Sequence, residues 1–149
     1  MSASADGTLM VWDLERDGGR RNLEGRTLTG HSDAVFGVGM SGDGRLVVSA
    51  SRDKTLKVWN LESGREPRTL EGHSAAVYGV AVSGDGRLAV SASADKTLMV
   101  WDLEAGAHVV TFTCDAAAVC CAISGDRRIV AGDETGRVHF LSLELENDR

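Results

Sequence analysis

Between Ala76 and Leu103 the chain sets three short apolar runs between two polar turns. Ala76 to Val82, Leu88 to Ser93 and Leu98 to Leu103 are each rich in Val, Leu or aromatic residues, and Gly84-Asp85-Gly86 and Ala94-Asp95-Lys96 separate them. Apolar runs of this length bounded by Gly and Asp read as β-strands joined by tight hairpins. Within the first run Val77, Tyr78, Val80 and Val82 do not alternate cleanly with polar residues. A strand that is apolar on both sides implies a sheet covered on both faces.

The same pattern stands immediately upstream, from Gly30 to Leu61. His31 and His73, Asp53 and Asp95, and Trp59 and Trp101 are all offset by 42 positions, and residues 31–72 match residues 73–114 at 26 of 42 positions. One period shared by three residue types marks a true repeat. A period of about 40–45 residues with four strands, Gly-His near the start and Trp-Asp near the end, is the signature of propeller blades.

On Gly72-His73, Asp95 and Trp101-Asp102, the chain resembles the WD-repeat (WD40) β-propeller family, and the resemblance covers essentially its whole length. It implies an all-β fold of antiparallel four-stranded blades, with the ring incomplete in one chain. The units read as a partial blade over 1–30, blades over 31–72 and 73–114, a divergent last blade over 115–143 and a tail over 144–149. Residues 2–14 match the end of a blade, with Asp6 and Trp12 at the places of Asp95 and Trp101. The longer spacing from Trp12 to Trp59 predicts a polar surface loop over 16–26, followed by an outer strand at 27–29. Further outer strands fall at 68–71, just after the single proline, Pro67, and at 109–113. In the last unit Cys114-Asp115 replaces Gly-His, Ala131 replaces Ser91, Thr135 replaces Asp95 and Leu141 replaces Trp101. That unit is expected to pack as a sheet without the polar network of its neighbours. A weaker similarity, to the closing blade of propellers at the C-termini of bacterial signalling ATPases, offers an alternative reading as a sensor fragment of such a protein.

Each regular repeat carries a Ser, a His and an Asp, which together look like a hydrolase triad. The resemblance implies structural tetrads instead: His31, Ser49, Asp53 and Trp59 in one blade, and His73, Ser91, Asp95 and Trp101 in the next. In the family these side chains hydrogen-bond through the blade. The recurrence of the set favours architecture, and the chain has no Gly-x-Ser-x-Gly elbow. No catalytic residue is therefore assigned. Ser-Gly-Asp-Gly at 41–44 and 83–86 has too few carboxylates for calcium and reads as a hairpin turn. Ser49, Ser51, Ser91 and Ser93 are candidate phosphosites only if exposed, and their place in strands argues for burial.

Composition narrows the function. A net charge of −6 with Lys and Arg scattered among Asp and Glu leaves no basic stripe for nucleic acid. No apolar run approaches the ~18 residues of a membrane span, which predicts a cytoplasmic protein without a membrane partner. Cys114, Cys120 and Cys121 are odd in number and clustered, fitting buried thiols better than disulfides or a metal site. No cofactor or metal is expected.

What remains is a non-catalytic interaction scaffold. The family's usual docking positions map onto Asp33, Phe36 and Arg52 in one blade and Ala76, Tyr78 and Ala94 in the next, with core packing an equal alternative for the two aromatics. About three strands from the first unit, four from each full blade and three from the last make an open arc. Two chains supply enough strands for seven or eight blades, so a homodimer is favoured, a trimer is the competing assembly, and the further partner is an unknown protein or peptide.

Overall fold

The computed structural model describes residues 1–17, 20–63 and 67–144. Among them are fourteen strands and no helix, in four antiparallel sheets. The first sheet holds β1 (Ser2–Ala3), β2 (Leu9–Asp17) and β3 (Arg20–Leu28). The second holds β4 (Val35–Met40), β5 (Leu46–Ser51), β6 (Leu56–Asn60) and β7 (Arg68–Leu70). The third holds β8 (Val77–Val82), β9 (Leu88–Ser93), β10 (Thr97–Asp102) and β11 (Ala107–Thr113). The fourth holds β12 (Ala118–Ile123), β13 (Arg128–Asp133) and β14 (Val138–Ser142). Every sheet runs in simple up-and-down order. The open arc of four-stranded blades expected from the repeat is present, flanked by two three-stranded sheets.

Cohesion comes from face-to-face stacking of successive sheets. Leu9 packs with Val35, Val47 and Trp59 between the first and second sheets. Val48, Leu56, Val58 and Leu70 pack with Val77, Ala89, Trp101 and Leu103 between the second and third. Leu88, Val90 and Val100 meet Ile129 between the third and fourth. The junctions share one polarity: the face carrying Trp59 or Trp101 looks toward the preceding sheet, and at the third junction Leu141, at the Trp position of the fourth sheet, packs in the same direction. Arginines reinforce two junctions from the rim. Arg26 donates to the Leu61 carbonyl at 3.1 Å, and Arg68 donates to the Leu103 and Glu104 carbonyls at 3.2 and 3.0 Å.

The inner strands cross closely enough to require glycine. A Cβ on Gly37 would lie 3.1 Å from the Tyr78 carbonyl oxygen and 3.2 Å from the Gly79 Cα. Contacts that short displace backbone rather than a pliable side chain.

Three expectations are corrected. Residues predicted as a surface loop over 16–26 mostly extend the hairpin of the first sheet, where pairing continues from Leu9↔Leu28 to Asp17↔Arg20. The outer strand, placed at 27–29, is the nine-residue β3. The added length thus prolongs strand pairing instead of interrupting it. The cysteines are not uniformly buried: Cys114 is, Cys121 is half-buried and Cys120 is exposed, because neighbours on a strand face opposite ways. The tail at 144–149 lies outside the described residues apart from Glu144.

Gly37→Ala is expected to lower stability by about 1–3 kcal/mol through overpacking of the second sheet against the third. Chemical denaturation monitored by tryptophan fluorescence checks this. An unchanged midpoint would mean the inner strands can separate without loss.

Candidate functional site

In the two regular sheets the tetrad residues meet as one directed chain of hydrogen bonds. A carboxylate can only accept, so Nδ1 of His31 carries the proton it donates to Asp53 Oδ2 at 2.8 Å. Nε2 must then accept, and it does so from the Ser49 hydroxyl at 2.6 Å. That hydroxyl oxygen in turn accepts the Trp59 indole N–H at 2.9 Å. The third sheet repeats the chain: Trp101 to Ser91 at 2.9 Å, Ser91 to His73 at 2.7 Å, and His73 to Asp95 at 2.8 Å. The tetrad ties the loop ahead of the innermost strand to the second and third strands and to the turn between them. It thereby pins three strands of a sheet in one register.

The Asp anchors its turn as well. Asp53 Oδ1 accepts the Thr55 amide at 2.9 Å and the Thr55 hydroxyl at 2.6 Å, and Asp95 binds Thr97 likewise at 2.9 and 2.5 Å. This ladder supports Lys54 and Lys96 at φ of +74° and +70°, a conformation lysine rarely adopts.

The electrostatics follow from burial and these bonds. Burial holds the imidazoles of His31 and His73 below their ordinary range, against the opposing pull of the Asp carboxylates. They are neutral, so the His–Asp contacts are hydrogen bonds and not ion pairs. Burial disfavours ionisation of Asp53, but bonds from Thr55 and His31 outweigh it and take the carboxyl down to about 2. Asp95 moves the same way, with Thr97 and His73 outweighing its burial.

This Ser–His–Asp geometry resembles that of a triad, yet the serine cannot act as one. Ser49 and Ser91 are 0% exposed, and each oxygen already accepts an indole N–H. No room is left for a substrate carbonyl beside the oxygen. Ser51 and Ser93 are equally closed, each donating to a carbonyl of the loop ahead of the inner strand at 2.8 Å. Among the described residues no group of three or more His, Cys, Asp or Glu is placed to hold a metal ion. No helix there is long and apolar enough to cross a membrane.

The fourth sheet departs from the sequence expectation. Cys114 stands four residues before Ala118, as His73 stands four before Val77, so the cysteine replaces His and Thr113 replaces Gly. Nor is the sheet without a polar network. Asp133, whose side chain is 0% exposed, takes the strand-end position held by Ser93. Its Oδ1 accepts the Thr135 amide and hydroxyl at 2.9 and 2.5 Å, and its Oδ2 accepts Nε2–H of His139 at 2.9 Å. These bonds, first from the Thr135 hydroxyl and then from His139, hold its carboxyl well below the usual range. The Asp–His–Thr cluster is thus rebuilt two positions earlier, with the His moved onto a strand. The signal was in the chain: Asp-x-Thr occurs at 6–8, 53–55, 95–97 and 133–135.

The positions mapped for partner contact fall into two groups. Phe36 and Tyr78 are 45% and 36% exposed, with ring centroids 5.6 Å apart, so they are surface rather than core. The strand register shifts between Val35 and Gly37 and again between Val77 and Gly79, leaving each aromatic without a cross-strand partner. That bulge turns them outward. A third bulge, between Ala118 and Cys120, exposes Val119 in the same way, a residue the sequence reading passed over. Asp33 and Arg52 are exposed beside them and 4.0 Å apart. Ala76 and Ala94 are half-buried, joined by a 2.9 Å backbone bond.

His73→Ala leaves Ser91 and Asp95 without their partner. It is expected to cost about 3 kcal/mol, or about 6–12 °C in Tm. A hydrolytic activity lost at unchanged Tm would overturn the structural role. Acid should act through the same groups. The unfolded chain protonates its histidines near pH 6.5 while the folded tetrads resist, so their contribution is complete above about pH 6.5 and falls as pH drops below it. The carboxylates add a second loss between about pH 4 and the Asp53 value of about 2. Tm measured against pH should show both declines, and the first should shrink in His31→Ala/His73→Ala.

Comparison with known proteins agrees with this architecture. The family model described as WD domain, G-beta repeat matches residues 24–60 and 64–102. Cross-pathway control WD-repeat protein 2 of Flammulina velutipes is 42% identical over 64 residues, covering 43% of this chain and 20% of that protein. MST50-interacting protein 11 of Pyricularia oryzae is 44% identical with the same coverage, and small ribosomal subunit protein RACK1 of Schizosaccharomyces pombe is 41% identical. The chain thus spans about a fifth of the length of these curated relatives. Among solved structures, that of U3-55K superposes with a TM-score of 0.83 at 24% identity, over 95% of this chain and 44% of that one. These relatives lend no support to the sensor-fragment reading. With the repeat, the tetrads and the family model in agreement, the chain belongs to the WD40 repeat family of β-propeller proteins.

Proposed function

We propose that the chain is a non-catalytic protein-interaction module, part of a propeller ring completed by further copies of itself, that presents the bulged edge of its inner strands to a protein or peptide. The observation that carries this reading is the stripe of Phe36, Tyr78 and Val119, three side chains pushed outward by bulges at equivalent positions. Exposed apolar groups set in a row, with Arg52 and Asp33 at their margin, are of the residue types that anchor partners. Two of the matched relatives carry names of association, MST50-interacting protein 11 and a small ribosomal subunit protein, which supports the same class of role. Ring completion is supported by the two end sheets, whose apolar faces are uncovered in a single chain. A dimer is the favoured assembly over a trimer.

Peptides selected from a displayed library on the 149-residue chain test the contact surface. Phe36→Ala and Tyr78→Ala are expected to weaken a selected peptide at least about tenfold, the 1.4 kcal/mol typical of a contact residue, with Tm within about 2 °C of the parent. A large loss of Tm at unchanged peptide affinity would return both aromatics to a packing role.

A further inference from the structure

The end sheets differ from the internal ones in ways that bear on which surfaces meet. At the first two internal junctions the face without the Trp seats the Trp-bearing face of the next sheet, and at the third it seats the face on which Leu141 replaces the Trp. One unmatched half of that junction remains at each end of the arc. Trp12 is 39% exposed, against 6% for Trp59 and 2% for Trp101. On the outer face of the fourth sheet Phe140 is 78% exposed, whereas Val58 and Val100, at the same register position, are 9% and 4%. A cavity of about 650 Å³ opens beside Phe140, floored by Ala122 and Val130.

Two positions on this face are bulkier than their internal counterparts. Cys120 pairs with Gly132 where Gly37 pairs with Ala50 and Gly79 with Ala92. Those glycines let the next inner strand pass: a Cβ on Gly79 would already lie 3.3 Å from the Cys120 Cα and the Val119 carbonyl oxygen. Cys120 brings both a Cβ and a sulfur to that place, and Phe140 replaces a valine. A sheet with a full inner strand therefore cannot settle on the fourth sheet at the internal spacing. Within this chain the first sheet is the one that offers a Trp face with no inner strand, since its order is β1-β2-β3 and β1 pairs as a second strand does.

We propose that the outer face of the fourth sheet seats the Trp12 face of a second copy of this chain, with Cys120 and Phe140 taking up space that an inner strand fills at internal junctions. This rests on the ring-completion reading above. The contact is head to tail, so two copies form two identical junctions and close a ring. Two copies contribute eight sheets, within the 4–8 blades of known propellers, whereas three would contribute twelve.

Native mass spectrometry and a short bismaleimide cross-linker test the placement on the 149-residue chain. Cys120 is the exposed thiol; burial raises Cys114 and pushes Cys121 up to about 12, so both are poor nucleophiles at neutral pH. Ser2 lies on the Trp12 face, paired with Met10 as Ser91 is with Met99. The unaltered chain should be a dimer. Ser2→Cys should be cross-linked into covalent dimers that vanish in Ser2→Cys/Cys120→Ser, and Phe140→Glu should give a monomer with an unchanged far-UV spectrum. If Phe140→Glu unfolds, Val138→Lys on the same face gives the same readout. A dimer that survives these changes, or one cross-linked through Cys120 without the introduced cysteine, would overturn this placement while leaving self-association intact. A monomeric parent chain would overturn both.

Discussion

Stacking sheets on both faces removes the cue that ordinarily sets strand register. When one face is wet, a one-residue slip exposes apolar side chains and is strongly resisted. Here β9 is buried along its whole length, and a slip would exchange one apolar face for another. The Trp–Ser–His–Asp chain restores the missing specification, because each member offers a donor or acceptor that only one neighbour can match. Buried polar groups are costly when unpaired, so the same dryness that weakens the apolar cue sharpens the polar one. Register, turn conformation and the close passage of inner strands at Gly37 and Gly79 all depend on this exchange.

The fourth sheet shows which part of that device is essential. Its Ser and Trp are gone and Cys114 stands in place of His, yet a buried carboxylate still receives an imidazole, a hydroxyl and an amide. What persists is the Asp-centred cluster that closes the turn, whichever strand supplies the His. What is lost is the link through Ser to the indole, and with it the tie between that turn and the middle of the sheet. In the single chain this sheet is stacked on one side only, with Ile129 and Ala131 buried on the stacked face and Val130 exposed on the other.

How much of this was legible in the chain follows from the same physics. The strands of 76–103 and the tetrads were readable because a period at several residue types reports spatial equivalence directly, and the structure places β8, β9 and β10 within a residue or so of the predicted runs. The extended hairpin of the first sheet was not, because polar residues in a rim hairpin carry no apolar alternation to mark them. The fourth sheet's network was hidden by aligning strands while its Asp moved relative to them; following Asp-x-Thr would have found it. The outward turn of Phe36 and Tyr78 rests on β-bulges, and a bulge changes pairing without changing composition. Their exposure was therefore open in sequence and decided only by the register.

The tetrad also gives the array a direction. Because Trp59 and Trp101 each look toward the preceding sheet, the two ends of the arc are different surfaces, and like ends do not reproduce any junction the chain already makes. Association that copies the internal junction is head to tail, and such contacts end in a closed ring or in an open filament. Which one results depends on whether the junction admits any further sheet or only a particular one. Glycine at 37 and 79 makes the internal junctions generic, able to accept an inner strand of ordinary backbone. In the head-to-tail contact proposed above Cys120 sets the condition, since its side chain stands where that backbone runs at the internal junctions. The same bulge that exposes Val119 sets Cys120 at the place where the second and third sheets carry Gly37 and Gly79.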